Sequence, residues 1–247
     1  GERVTDTGSL GRPFGTIIHP VFMGATMSAV GLLALSVALA RRNGLARTFA
    51  WVTVVGALGA MYVAHTRAAM VAAILVGLGL VAHAWRRGDV TSTQLRRVAM
   101  VGLVCAIAAL PVLIPKFEEN FGTGHFFEEV NSRQQLNVIG FQMWEDHSMV
   151  GVGLNNFEQV MGPYQKYGAI FFNNPVHNLY LLYLAETGEV GFVGLMVTTV
   201  ALVVPGVRAA RSRDPLYAAV GRGVVAVVAF FAVEELLGFS LRQDIPL

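Results

Sequence analysis

Six long apolar stretches limit what this chain can fold into. Residues 21–40, 48–64, 68–85, 98–114 and 190–207 carry no acidic, Lys or Arg side chain, and 216–233 carries only Arg222, near one end. Crossing a bilayer takes about 20 mostly apolar residues, with a range of roughly 17–25. Hydrocarbon offers the backbone no hydrogen-bond partners, so runs of this length form helices rather than isolated strands. Arg222 is accommodated by extending its long side chain toward the headgroups. Pro111 and Pro205 fall in the last turns of their helices, where a kink costs least. The expected fold is an all-α polytopic transmembrane bundle of about six spans, with a large, partly helical periplasmic or outer loop.

Composition agrees. Only 14% of residues are charged, against about 25% in soluble domains. The single cysteine, Cys105, excludes a disulfide framework and a cysteine-based metal site. A net charge of +2 is too small and too scattered for a nucleic-acid surface. The polar stretch 1–13 has neither an initiator Met nor a signal-peptide pattern, which suggests a fragment whose natural start lies upstream.

Arginine placement orients the bundle. Arg41, Arg42 and Arg47 follow the first span; Arg86, Arg87, Arg96 and Arg97 the third; Arg208, Arg211 and Arg213 the fifth. The positive-inside rule makes these three connections cytoplasmic. The tight turn at 65–67 and the long segment 115–176 then face outward. The chain divides into four spans with an N-terminal outer segment (1–114), an outer loop with a re-entrant or interfacial helix (115–189), and two C-terminal spans (190–247).

Within the outer segment, 116–125 reads as irregular loop and 131–146 has helical spacing of Leu136, Ile139, Phe141 and Trp144. Gly151 and Gly153 break the chain, and 155–167 reads as another short helix. The turn Asn173-Asn174-Pro175 precedes a short apolar helix from His177 that ends at Gly188, before the fifth span.

Soluble-enzyme motifs are missing: there is no Gly-Lys-Ser phosphate loop, no Gly-x-Ser-x-Gly elbow and no His-Glu-x-x-His. Six scattered histidines include no i, i+4 pair, and no metal or cofactor is expected. Polar residues on the outer side remain. Arg67 opens the third span, either as an interfacial anchor or as an inward-facing cation whose planar fork suits phosphate. Arg133 stands at the front of the outer helix, as a solvated side chain or as a second such cation. His177 is either a structural histidine or the outer group best able to exchange a proton near neutral pH. Glu186 lies in an apolar helix, where acids are functional candidates by default. Glu234 and Glu235 read as interfacial.

Taken in order, these residues resemble the membrane-embedded O-antigen ligase and O-antigen polymerase superfamily. Arg12-Pro-Phe-Gly15-Thr-Ile-Ile-His19-Pro20 is similar to its Arg-x-x-Gly-x-x-x-x-Pro stretch, and Thr66-Arg67-Ala68-Ala69 to a Ser-Arg-Gly-like span start. Ser132-Arg133 with Trp144 resembles the family's large loop, and 148–157 its Pro-x-x-Gly-x-Gly-x-x-x-Phe element. His177-Asn178-Leu-Tyr180-Leu181 followed by Glu186-Thr-Gly188-Glu-Val-Gly191 resembles its His-Asn-x-Tyr-Leu and Glu-x-Gly-x-x-Gly pair. The likeness runs from about Arg12 to about Val207. It departs at Val21, where the family often has Asn, and at Ala68, where Gly is usual. Family members carry more spans, so the chain resembles a C-terminal catalytic half.

The resemblance implies a metal-independent glycosyltransferase of the bacterial inner membrane, with its active site facing the periplasm. Its donor would be an undecaprenyl-pyrophosphate-linked glycan, and its acceptor lipid A-core or a growing glycan. In this reading Arg67 and Arg133 stabilise the departing pyrophosphate and His177 takes the acceptor proton. Arg12, His19, Asn178, Tyr180 and Glu186 form the expected substrate-binding set, with Asn178 or Glu186 also orienting His177. Ligase, polymerase and protein O-oligosaccharyltransferase share this half. A transporter or flippase is the distant alternative, disfavoured because its polar groups would sit near the bilayer midplane.

Overall fold

The computed structural model describes residues 20–40, 44–64, 67–96, 99–100, 125–165 and 175–236. For 20–21, 63–64, 67 and 125–130 only the backbone is described. Expectations about Arg12, His19, most of the 98–114 span and the 116–124 loop fall outside these residues.

Every regular element among the described residues is helical. They include α1 (Pro20–Ala40), α2 (Leu45–Ala64), α3 (Arg67–Arg86), α4 (His125–Asp146), α5 (Phe157–Val160), a 3-10 turn (Gly162–Tyr164), α6 (Leu179–Ala210) and α7 (Pro215–Glu234), and residues 92–96 are also helical. Five of the six expected spans are seen: Phe22–Ala40, Leu45–Tyr62, Ala68–Arg86, Leu179–Ala210 and Pro215–Glu234 are long and apolar enough to cross a membrane. This is a multi-pass membrane bundle.

Helix α1 is the central element and packs on α2, α3 and α7. Its small residues allow the close approach: a Cβ on Gly31 would lie 2.9 Å from Ala57 of α2, and Ser36 Oγ donates to Ala219 O of α7 at 2.7 Å. Small residues are what helix contacts in lipid use, because apolar burial alone drives no association there. The outer helices α2 and α3 leave Phe49, Val52, Val55, Val71, Ile74 and Leu78 exposed, as lipid-facing surfaces should. At the end where α1 and α3 begin, Ala25, Ala69, Ala72 and Phe230 close one core.

The termini follow from local chemistry. Asp214 accepts from Tyr217 N at 2.8 Å and Pro215 takes the first helical position, where its missing N–H costs nothing. Arg222 finds its counter-charge: a guanidinium nitrogen lies 3.9 Å from Asp89, just beyond α3, and the side chain is 12% exposed.

Two expectations change. Helix α4 begins at His125, six residues before the expected start and at the last residue of the expected 116–125 loop; Phe126, Phe127 and Val130 extend its apolar spacing back through residues given no element from sequence. Over its described part, 155–165, the expected helix at 155–167 is instead two short pieces, α5 and the 3-10 turn containing Pro163. Straight, α6 would be about 48 Å long, against a hydrocarbon core of about 30 Å. It is not straight: Gly188, at φ 62° and ψ −166°, breaks it at the residue where the sequence ends one helix and begins the next.

Candidate functional site

The break in α6 dominates the site. An unbroken helix would bond Glu189 N to Ala185 O and Val190 N to Glu186 O. At Gly188 the helical geometry that makes these two bonds is gone, and their four backbone groups need other partners. The loop after α4 takes up all four. Val152 N donates to Ala185 O at 3.0 Å and Gly153 N to Glu186 O at 2.8 Å; Glu189 N donates to Ser148 O at 2.7 Å and Val190 N to Met149 O at 3.3 Å. The loop thus plugs into the ladder of a split helix. Backbone meets backbone at two glycines: a Cβ on Gly151 would overlap Glu186, and one on Gly188 would overlap Met149.

Glu186 locks this clasp. It is 1% exposed, and its carboxylate accepts from Asn155 N and Phe157 N, each at 3.1 Å. These donors cover the tight turn where Asn155 adopts φ 65° and α5 begins. Beneath lies a core of Leu136, Ile139 and Met143 from α4, Phe157 and Met161, and Val176, Leu182 and Ala185. On the rim, Tyr164 Oη donates to Asp146 Oδ2 at 3.0 Å. Partial burial first, and that carboxylate second, raise the phenol above its ordinary range.

Glu186→Gln should therefore loosen the loop without emptying its core. A charge-assisted bond is worth about 1.5–3 kcal/mol, and the amide nitrogen would face an N–H. The expected readout is faster hydrogen exchange at the Asn155 and Phe157 amides, with α1–α3 amides unchanged. Unchanged exchange at those two amides would refute the lock.

The start of α6 is tied just as tightly. Asn178 caps it, its Oδ1 accepting from Tyr180 N at 3.1 Å and Leu181 N at 3.2 Å. Tyr180 Oη donates to Ala232 O at 3.0 Å and Leu179 N donates to Glu235 O at 2.9 Å. His177, half-buried, thus begins α6 beside the end of α7. Glu234 and Glu235, read from sequence as interfacial, are instead both 1% exposed. Their sequence signal, two acids ending an apolar run, does not distinguish a headgroup contact from a packed helix end.

Two contacts fix the register of α4 on α6. Gly140 abuts Leu181, with a Cβ position 3.2 Å from Leu181 Cγ, and Met149 meets Gly188 and Val190 farther along both chains. Helix α4 and the first limb of α6 therefore run side by side in the same sense. Arg133, seven residues before Gly140, and His177, four before Leu181, lie toward the same end of this pair. The α3 helix starts at Arg67, and Ala69 packs in the cluster containing Phe230, four residues before Glu234. The backbones of Arg67 and His177 thus share one end of the bundle. Asn178, Tyr180 and Glu186 are each engaged by neighbouring backbone. Trp144 packs edge-on against Phe141, with ring centroids 5.2 Å apart. Among the described residues no three His, Cys, Asp or Glu side chains gather as a metal site.

Residues 52–196 match the family model described as O-antigen ligase. That segment runs from α2 through the clasp to the second limb of α6. A search of curated proteins found no match.

Proposed function

Because the chain belongs to the O-antigen ligase family, we propose that it moves a glycan from an undecaprenyl-pyrophosphate carrier onto a surface acceptor, lipid A-core being favoured. The reaction takes place at the periplasmic face of the bacterial inner membrane. The observation that carries this reading is the shared end of the bundle at which α3 starts, with Arg67 as its first residue, and at which His177 meets the end of α7. Arg133 lies toward that end on α4.

In the proposed step the acceptor hydroxyl oxygen attacks the anomeric carbon as the bond to the pyrophosphate oxygen breaks. His177 takes the hydroxyl proton. Arg67 and Arg133 receive the negative charge that grows on the leaving pyrophosphate, the group whose stabilisation lowers such a barrier most. Direct displacement inverts the anomeric centre and forms no covalent enzyme intermediate. Asn178, Tyr180 and Glu186 serve by holding His177 and the loop in place. Arg12 and His19 are the remaining members of the expected substrate-binding set. Polymerase and protein O-oligosaccharyltransferase activities differ only in the acceptor.

The test compares the wild-type protein with His177→Ala, Arg133→Ala and Arg67→Ala at matched membrane levels, in a strain lacking its own copy. Transfer of lipid-linked glycan is read on gels. All three should lose transfer by 100-fold or more, in keeping with about 10²–10⁴-fold for a general base, while Lys166→Ala retains it. The acceptor that becomes modified separates ligase from polymerase. Normal transfer in all three variants would overturn the reading.

A further inference from the structure

Helices α2 and α3 both lean on α1 and hardly on each other, leaving a cavity of about 620 Å³ between them. Its walls are apolar, with Leu32 and Leu35 behind and Val55, Leu58, Ile74 and Leu78 at the sides. Those last four side chains are about half exposed or more, so the cavity is a groove open toward the bilayer. It reaches Met61 and Met70 at one end. At the other lie Arg47, Gln94 and, one turn into α2, Trp51. From Arg47 to Met61 is 14 residues of helix, about 21 Å, whereas one leaflet supplies about 15 Å of hydrocarbon.

We propose that this groove holds one acyl chain of an anionic phospholipid, with the lipid phosphate on Arg47. The polarity of the lining carries the assignment. Charge stands at one end only, followed by an aromatic ring and then by hydrocarbon walls, which is the order of groups along a phospholipid; the Ser28 hydroxyl at the far end is turned back onto Gly24 O and Met61 Sδ. Arg favours phosphate through its planar fork. Gln94 adds a neutral donor: its Oε1 accepts from Thr91 N at 2.9 Å in a capping box, which fixes the side chain and leaves the amide NH₂ as its donor group. The arginine-rich connections place this end at the cytoplasmic leaflet, where anionic lipids concentrate. The inference is independent of the glycosyl-transfer reading, whose residues lie at the opposite end of the bundle.

The experiment titrates the full chain, purified in mild detergent, with phosphatidylglycerol carrying brominated acyl chains, and follows tryptophan fluorescence. Trp51 should be quenched at low lipid-to-protein ratios, and the quenched component should vanish in Trp51→Phe. Arg47→Gln should weaken the apparent affinity about tenfold, the loss of one charge-assisted hydrogen bond at the wet end of its range. Val55→Trp, on the exposed lip, should block the chain while preserving the folded helix content. Equal quenching by brominated phosphatidylcholine, which carries the same phosphodiester but no net charge, would overturn the preference for an anionic lipid, and an unchanged affinity in Arg47→Gln would overturn the phosphate site. Rapid disulfide formation between Val55→Cys and the native Cys105 would also overturn it, by showing that 98–114 covers the groove.

Discussion

Gly188→Ala is expected to open the clasp and to reduce glycan transfer more than tenfold, while Gly194→Ala, six residues along the same helix, does neither. At φ 62° and ψ −166° the Gly188 backbone occupies a region essentially restricted to glycine, where a side chain costs about 1–3 kcal/mol. The added Cβ would also overlap the backbone of Met149, which has no rotamer with which to move aside. Relieving that overlap means withdrawing the loop, which exposes the orphaned ladder groups at 185, 186, 189 and 190 together with the two N–H donors on Glu186. The combined penalty exceeds about 3 kcal/mol, a large part of the 5–15 kcal/mol that holds a typical domain. Gly194 has open space where its Cβ would go, so the same change there gains up to about 1 kcal/mol of helix propensity. Hydrogen exchange at residues 151–157 separates the outcomes. If Gly188→Ala leaves those amides as protected as in the wild type, the loop does not depend on the break.

The spans were legible because each is a local property: an apolar run of sufficient length reports a helix whatever surrounds it. Three of the glycines in the clasp were legible for the same reason, as interruptions at 151, 153 and 188. That they belong to one feature was not. The ladder of α6 is completed by residues more than 30 positions away, and no periodicity within 148–157 or within 179–190 encodes that pairing. Glu186 illustrates the limit. An acid in an apolar helix signals a demand for partners, and from sequence those partners were substrate or the His177 it would orient. In the fold the demand is met by Asn155 N and Phe157 N, which come within reach only once the loop is inserted. The start of α4 failed differently: from sequence the helix begins only at Asn131, although the apolar spacing extends back through 126–130 and the helix starts at His125. Asn178, Tyr180 and His177 were legible as a cluster in the sequence. Their attachment to the end of α7 depends on how two distant spans meet.

That meeting is set by glycine at the other end of the same helix pair, and Gly221→Ala is expected to be among the most destabilising single-methyl additions in the bundle. A Cβ on Gly221 would run into Ala209 and Ala210 and the carbonyl of Gly206 on α6, all backbone atoms. Overpacking a well-packed contact typically costs about 1–3 kcal/mol, and backbone against backbone belongs at the upper end because no side chain can swing away. For a chain of this size 1 kcal/mol corresponds to roughly 2–4 °C, so Gly221→Ala should melt about 6–12 °C lower in detergent. Gly79→Ala, with nothing near its Cβ, serves as the matched control and should not melt lower. The effect should also reach the far end of the pair. Spreading α6 from α7 at Gly221 strains the bonds from Leu179 N to Glu235 and from Tyr180 Oη to Ala232, which hold His177 in place. Transfer should therefore fall even below the melting transition. A variant that melts with wild type would refute the close crossing. One that melts early but transfers normally would show that His177 is held by the clasp alone.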